Sequence, residues 1–266
     1  MTPKTLNDYW DEKSRLIQER GKLVQNWTEK KNRQLSLVAQ EAILGMRLDP
    51  QKAFDWIFWT LDPRDRANPK KEFIPMPYQR VMIAWIMDAI HQGYDLAQEK
   101  SRDMGATWID LTCLLWCWLF EDEFSAHLLS KSEVAVDSRD DKNSLFERMR
   151  WQLRMIEQAT PGIVPPLWEK SSGILKLVNP LNGSVITGGA TVANFARQGR
   201  YNVIMLDEFA SIESKLQEEA WIGTKDATPC RIVLSTPKGL ANRYASICMT
   251  LRKEKGARID MLKAVA

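Results

Sequence analysis

From residue 95 onward, short apolar runs alternate with longer stretches whose apolar residues recur at helical spacing, the pattern of strands separated by helices. Val203-Ile204-Met205-Leu206 and Ile232-Val233-Leu234 are too short and too uniformly apolar for surface helices. They read as strands buried on both faces. Residues 94–99 form a short extended segment, 127–130 a candidate strand, and 174–178 with 184–187 a hairpin across the turn 180–183. A helix is expected over 145–156, and an apolar one begins near Ala106 and contains the run 114–120. Residues 257–265 supply a last strand pattern. Upstream, 78–92 reads as a helix whose apolar face is Val81, Ile83, Ala84, Ile86 and Met87. Residues 6–48 carry heptad-like apolar positions (Leu16, Val24, Leu35, Val38, Ile43), predicting two helices that part near Trp27. Pro63, Pro69, Pro75 and Pro77 mark a linker between these blocks. The expected class is α/β: a doubly wound, mainly parallel sheet flanked by helices, with an N-terminal helical extension and linker at 1–72 preceding the main domain at 73–266.

Polar residues matter most where the apolar runs end. The strand at 203–206 runs into Asp207-Glu208, and two adjacent carboxylates contribute nothing to a core. In nucleoside-triphosphate hydrolases the first such acid orients magnesium and a neighbouring glutamate takes a proton from the attacking water. The same tip also suits a solvated Asp-Glu turn. Between the segment 94–99 and the helix at Ala106 lies Lys100-Ser101-Arg102-Asp103-Met104-Gly105-Ala106-Thr107. A standard phosphate loop reads Gly, four residues, Gly, Lys, Ser or Thr. Gly105 and Thr107 match it, whereas Ala106 occupies the lysine position and Lys100 that of the first glycine. Backbone N–H groups at the helix N-terminus can hold phosphate whatever side chains flank them, Lys100 can fold over the loop, and Thr107 can offer its hydroxyl to magnesium. A plain strand-to-helix turn bearing an exposed cation remains the alternative. The third tip, Ser235-Thr236, ends the strand at 231–234 ahead of a Pro-x-Gly turn; it suits a sensor of the terminal phosphate or a turn that satisfies its own backbone. In a doubly wound sheet these three tips share the carboxyl edge, where ligands bind. Tyr78 and Gln79 would approach a bound adenine there, by stacking and through the amide, or would simply begin a helix.

Taken together and in this order, the segments Pro77-Tyr78-Gln79, Ser101 to Gly105, Asp207-Glu208-Phe209-Ala210 and Ser235-Thr236-Pro237-Lys238-Gly239 resemble the ATPase domain of a large terminase subunit from a tailed bacteriophage or prophage. The resemblance covers about 73–244, and a lysine at the start of the loop occurs within that family. It implies a P-loop NTPase of the RecA/ASCE-like type that binds ATP and Mg2+. Ser101, Arg102, Asp103, Met104, Gly105, Ala106, Thr107 and Trp108 would surround the nucleotide with Lys100, Ser235 and Thr236; Thr107 and Asp207 would hold the metal; Glu208 would activate water. The charge that develops on the transferred phosphoryl group calls for an arginine: Arg102 in cis, or Arg197, ahead of Arg200, supplied to a neighbouring subunit. The implied partners are double-stranded DNA, the portal protein, the small terminase subunit and further copies of the chain in a ring of five on the portal, the isolated domain being a monomer and a poor hydrolase. The implied location is the host cytoplasm and, transiently, the procapsid portal vertex, not the mature virion. Large terminases continue into an RNase H-like nuclease. This sequence stops at Ala266, so the expectation is an isolated ATPase domain without the nuclease.

Composition changes this picture little. A net charge of +3 gives no argument for DNA binding by itself, and the basic clusters Lys30-Lys31-Arg33 and Arg252-Lys253-Lys255 are ordinary solvated faces as readily as binding sites. No window of about eighteen apolar residues suggests a membrane span. Four cysteines without Cys-x-x-Cys spacing and two histidines read as buried thiols rather than a zinc site, and the eleven tryptophans read as core. Two rival readings stay open: a superfamily 2 type helicase or translocase fragment, which would need a second RecA-like domain, and a catalytically silent nucleotide-binding scaffold in which Ala106 marks a lost lysine.

Overall fold

The computed structural model describes residues 6–28, 35–139, 141–191 and 199–255. Arg197 and the strand expected at 257–265 lie outside the described residues. The chain opens with helices α1 (Leu6–Gln25), α2 (Leu37–Leu48) and α3 (Pro50–Trp56), then a small antiparallel pair, β1 (Trp59–Leu61) with β2 (Lys70–Glu72), then α4 (Pro77–Gln92). The main sheet and its helices follow as β3 (Leu96–Glu99), α5 (Ala106–Phe120), β4 (Ser125–Ser130), α6 (Glu133–Val136), α7 (Leu145–Ala159), α8 (Trp168–Ser171), β5 (Lys176–Val178), β6 (Val185–Ala190), β7 (Val203–Asp207), α9 (Ser214–Gly223), β8 (Arg231–Ser235) and α10 (Arg243–Lys255).

The sheet has the spatial order β3-β8-β7-β4-β6-β5, parallel throughout except for the edge strand β5. Strand alternation explains why it carries helices on both faces. Val203 and Met205 of β7 point into one apolar cluster, Ile204 and Leu206 into the other. The larger cluster takes up α4, α5 and α7; the smaller takes up α9 and α10. The α5 helix is buried almost all round, which is why its sequence is apolar without a polar stripe. On the α7 side the packing is closest at Gly188 of β6, where an added Cβ would fall 2.6 Å from Val136 Cγ1 and 2.7 Å from Phe146 Cε2.

The N-terminal helices join the larger cluster through Trp27, Ala42, Met46, Phe54 and Phe58. Trp116 Nε1 donates to Met46 O at 2.8 Å, Trp27 Nε1 to Pro161 O at 2.9 Å, and buried Arg20 donates to Phe58 O at 2.7 Å. The proline-marked segment 63–77 contains β2 and leads into α4, which starts at Pro77. Upstream of it, Asp49 accepts from Gln51 N and Pro50 takes the first helical position, so α3 starts where a cap and a proline favour it. The four cysteines are buried thiols outside any disulfide. Among the described residues no helix is long and apolar enough to cross a membrane.

Candidate functional site

The loop that leaves β3 is anchored at both ends. At its start Lys100 N donates to Ser235 O at 3.1 Å, setting it beside the tip of β8. Near its end Asp103 and Gly105 take left-handed backbone angles (φ 65 and 74) that turn the chain into α5. The first intrahelical bond runs from Ile109 N to Gly105 O at 3.0 Å, so the amides of Ala106, Thr107 and Trp108 lack helical partners, as in any first turn. Gln79 Nε2 and the Tyr78 hydroxyl donate to Met104 O at 3.1 and 3.3 Å, while Gln79 Oε1 accepts from Met76 N at 2.9 Å. A Cβ at position 105 would sit 3.1 Å from Gln79 Nε2, so glycine serves both the backbone angle and the space. The polar atoms of Tyr78 and Gln79, expected to meet an adenine, thus grip the loop. Both residues also line an adjoining cavity of 1000 Å³ beside Tyr9 and Trp10.

The acids end β7, between β4 and β8. Thr107 Oγ1 donates to Asp207 Oδ1 at 3.3 Å and Lys100 Nζ to Glu208 Oε1 at 2.9 Å, while Ser211 Oγ lies 3.4 Å from Glu208 Oε2. Glu208 itself adopts φ 51, turning the chain sharply after the strand. Burial pushes the Asp207 carboxyl up to about 6, with Lys100, Arg148 and the Thr107 hydroxyl opposing and Glu208 adding to the rise. Ser235 is fully buried; its Oγ accepts from Ala210 N at 3.1 Å and is within donating distance of Thr236 O, also 3.1 Å. It therefore ties the tip of β8 to the turn after Glu208, and neither it nor Thr236 lines the cavity described next.

Lys100 to Trp108, Asp207 and Glu208 line one cavity of 590 Å³ together with Ser130, Lys131, Ser132 and Arg148. Arg102 belongs to its exposed rim, and Asp103 turns to Arg64 of the β1–β2 connection, 3.4 Å away. Arg200 is not brought there. It precedes the N-terminal end of β7, so the strand separates it from Asp207 by roughly 20 Å at ~3.3 Å per residue. Among the described residues its guanidinium donates only to Gly199 O, at 3.5 Å. As a contributor to its own subunit's cavity it is excluded by this placement; Arg197 lies outside the described residues.

One layer below, two residues absent from the sequence reading join the loop's supports. Gln98 lies two residues before Lys100 and so on the same face of β3, while Asp110 lies one turn after Thr107 on α5. Gln98 Nε2 donates to Asp110 Oδ1 at 2.7 Å, and both are buried. Their other oxygens, Gln98 Oε1 and Asp110 Oδ2, have no partner among the described residues. Burial pushes the acid up to about 7, Gln98 and Lys100 opposing the rise and Asp207 adding to it, so that below that pH the carboxyl carries a proton and becomes a donor as well as an acceptor. Asp110 is thus mostly protonated below about pH 7. No motif marks it. A carboxylate inside an apolar run such as 109–119 is the signal that would have found it. For Lys131 and Ser132 the signal is their place after β4 at the same carboxyl edge.

No protein-family model and no curated protein matches the chain. Solved structures do. The large terminase of bacteriophage HK97 is 14% identical over 70% of this chain and 38% of its own length, with a TM-score of 0.51. The large terminase ATPase domain of Thermus phage P74-26 is 18% identical over 62% of this chain and 68% of that one, with a TM-score of 0.42. The large terminase of a thermophilic bacteriophage, also solved with ATP-gamma-S and with ADP, is 11% identical over 67% and 43%, with a TM-score of 0.47. At these identities the HK97 likeness speaks for the fold alone: this chain shares a mainly parallel α/β sheet with that structure and spans well under half of the HK97 protein.

Proposed function

We propose that this chain is the ATP-hydrolysing motor domain of a large terminase, which drives viral DNA into a procapsid. The observation that carries the reading is the meeting, at one edge of a parallel sheet, of a cation, a hydroxyl and two acids beneath a helix N-terminus: Lys100 on Glu208 at 2.9 Å and Thr107 on Asp207 at 3.3 Å. Phosphate oxygens would take the free amides of the first turn of α5 and the Lys100 ammonium. Such a ligand competes with Glu208 for Lys100 and leaves the glutamate free to accept a proton from water.

The residues fit Mg2+. Thr107 Oγ1 and the Asp207 carboxylate are hard oxygen donors, and Asp207 is a buried acid whose raised value signals too little positive charge around it. When bound there, the ion neutralises charge on the phosphate oxygens. Ser235 couples the state of the site to α9 and α10 through the 208–211 turn.

In the whole motor, copies of the chain would form a ring of five at the portal vertex, in the host cytoplasm, with the portal protein, the small terminase subunit and double-stranded DNA as partners. There Arg197 or Arg200 would serve a neighbour's site, and residues 1–72 would form an extension to the ATPase domain at 73–266. The test is magnesium-dependent ATP hydrolysis at rising protein concentration, for the wild type beside Lys100→Ala and Glu208→Ala. Turnover per subunit that climbs with concentration and vanishes in both variants supports the reading. Three proteins that bind ATP alike and never turn it over, even when crowded, sink it in favour of a silent nucleotide-binding module.

A further inference from the structure

The cavity beside Asp207 contains a second deep cation that no motif assigns. Arg148 projects from the first turns of α7 into the space shared by the 590 Å³ cavity and its 1000 Å³ neighbour, where the loop residues Asp103 to Gly105 and Trp108 also lie. Its guanidinium is held on two sides. Nε donates to Lys142 O at 3.1 Å, and the group stacks over the Trp108 ring with 5.5 Å between the guanidinium carbon and the ring centroid. The Nη atoms have no hydrogen bond or ion pair among the described residues, so the anchoring leaves the donating end of the fork open. Burial lowers Arg148 from the ordinary arginine value while Asp207 and Asp141 oppose the fall. It stays charged, close enough to Asp207 to be felt by it.

Other cations near the cavity lack these properties. Lys100 is engaged by Glu208, Arg102 and Lys131 sit exposed on the rim, and Arg200 lies at the far edge of the sheet. A planar fork pinned by its root, with free N–H groups in a cavity lined by a phosphate-loop backbone, matches an anion whose charge is spread over several oxygens.

We infer that Arg148 is a catalytic residue acting within its own subunit, donating through Nη to the outer oxygens of the terminal phosphate as it is transferred. The inference rests on the ATPase reading above. As the water oxygen bonds to the terminal phosphorus, the bond from that phosphorus to the bridging oxygen of ADP breaks. One water proton passes to Glu208 and from there to solvent, and the departing ADP keeps the bond's electron pair. Charge gathers on the outer phosphoryl oxygens and on the bridging oxygen, and Arg148 meets the former without any movement of a neighbouring subunit. A ring using this arginine would hydrolyse slowly as isolated subunits, and a second arginine from a neighbour would add to that rate.

The experiment compares the wild type with Arg148→Ala, Arg148→Met, whose unbranched stem keeps the contact with Trp108, and Arg148→Lys, each checked for an unchanged thermal unfolding midpoint. Affinities for Mg-ADP and for Mg-ADP with aluminium fluoride are measured by fluorescence or calorimetry, and turnover is followed alone and in mixtures of Arg148→Met with Glu208→Ala. The expected result is ADP affinity within about threefold of wild type, aluminium fluoride complex affinity and turnover lowered about 10³-fold, partial recovery in Arg148→Lys, and no recovery in the mixtures. Folded Arg148→Met that matches the wild type in both measurements overturns the inference while leaving the ATPase reading intact. Activity restored on mixing overturns it too, because the arginine then works on a neighbour. A wild type that binds neither nucleotide complex overturns the ATPase reading and the inference together.

Discussion

Replacing Asp110 by asparagine should stabilise this protein, and only above about pH 4. The wild-type acid is buried without a compensating cation of its own, bonded once to Gln98 at 2.7 Å, and each residue of the pair leaves one oxygen unpartnered. As the neutral acid it accepts the Gln98 amide N–H at Oδ1 and sets no charge in the core. As the carboxylate it sets a charge there. Holding the acid at about 7 rather than at the ordinary aspartate value corresponds to a penalty on the order of 4 kcal/mol once it is ionised. Because the folded-state value lies above the unfolded one, the native state binds more protons through the window between them, so wild-type stability falls as pH rises from about 4 through 7. The asparagine side chain of the variant keeps an acceptor for the Gln98 amide, presents N–H where the acid presents O–H and does not titrate. The stability difference between Asp110→Asn and wild type should therefore be near zero at pH 4, grow through pH 5 and 6, and level off at a few kcal/mol in favour of the variant above pH 7. Urea unfolding followed by tryptophan fluorescence at four or five pH values measures it, and the Asp207 contribution cancels to first order because both proteins carry it. A difference that is flat with pH, or a variant less stable than wild type at pH 8, would refute the neutral-acid account and imply that the site requires a charged Asp110.

The remaining predictions concern the loop and the sheet tips. Gly105→Ala should cost about 1–2 kcal/mol from its left-handed backbone and push on Gln79 Nε2, 3.1 Å from the new methyl, weakening nucleotide binding as well; unchanged urea midpoints and affinities would count against the packing described. The magnesium-dependent part of ADP affinity should fall about tenfold per pH unit below about 6, since burial holds Asp207 protonated there and a cation needs the carboxylate; calorimetry with and without EDTA tests this, and a flat profile between pH 5 and 7.5 rejects it. Tyr244→Phe should cost about 1–3 kcal/mol because its buried hydroxyl, 2.6 Å from Gln98 O and 3.1 Å from Ser235 O, serves carbonyls on two adjacent strands. A loss below a few tenths of a kcal/mol would mean that those carbonyls are satisfied without it.

Where sequence and structure agree, a strong local pattern had no competitor. The apolar runs at β7 and β8 have burial on both faces because helices cover both faces, and such strands carry no alternation to misread. The 174–187 hairpin, α4, α5 and α7 likewise fall where spacing and turn residues put them. The N-terminal helices are a mixed case: α1 and α2 part near Trp27 as the pattern predicts, and Leu16 is buried, but Val38 is exposed, whereas Ala39, Ala42 and Met46 form the buried face of α2; small residues that permit close helix approach are nearly silent in an apolar pattern. The β1–β2 pair was invisible for a related reason. Lys70-Lys71-Glu72 has the composition of a loop, and only pairing with Trp59-Thr60-Leu61 makes it a strand. Strand-tip chemistry made Asp207, Glu208 and Ser235 legible, yet it could not separate a lining residue from a buried tether, which is what Ser235 is. Arg148 was illegible because its place depends on how α7 crosses the sheet, a tertiary fact that no residue near it announces.

The misplaced lysine follows from this geometry. Position 106 begins α5 and is 2% exposed, packed under the loop. A lysine there would have to thread its stem out of the core, whereas Lys100 leaves the end of β3 beside the tips of β7 and β8, and reaches the cavity directly. Moving the cation from the helix to the strand has a consequence that the standard arrangement lacks. Lys100 now sits 2.9 Å from Oε1 of the acid proposed to activate water, so without nucleotide its ammonium occupies a carboxylate oxygen that a water would otherwise reach. On the proposed reading, a phosphate that draws the ammonium away would free that oxygen of Glu208 when a substrate is present. Under that reading the lysine's displacement would couple occupancy of the loop to release of Glu208, while the buried position 106 suits a small residue.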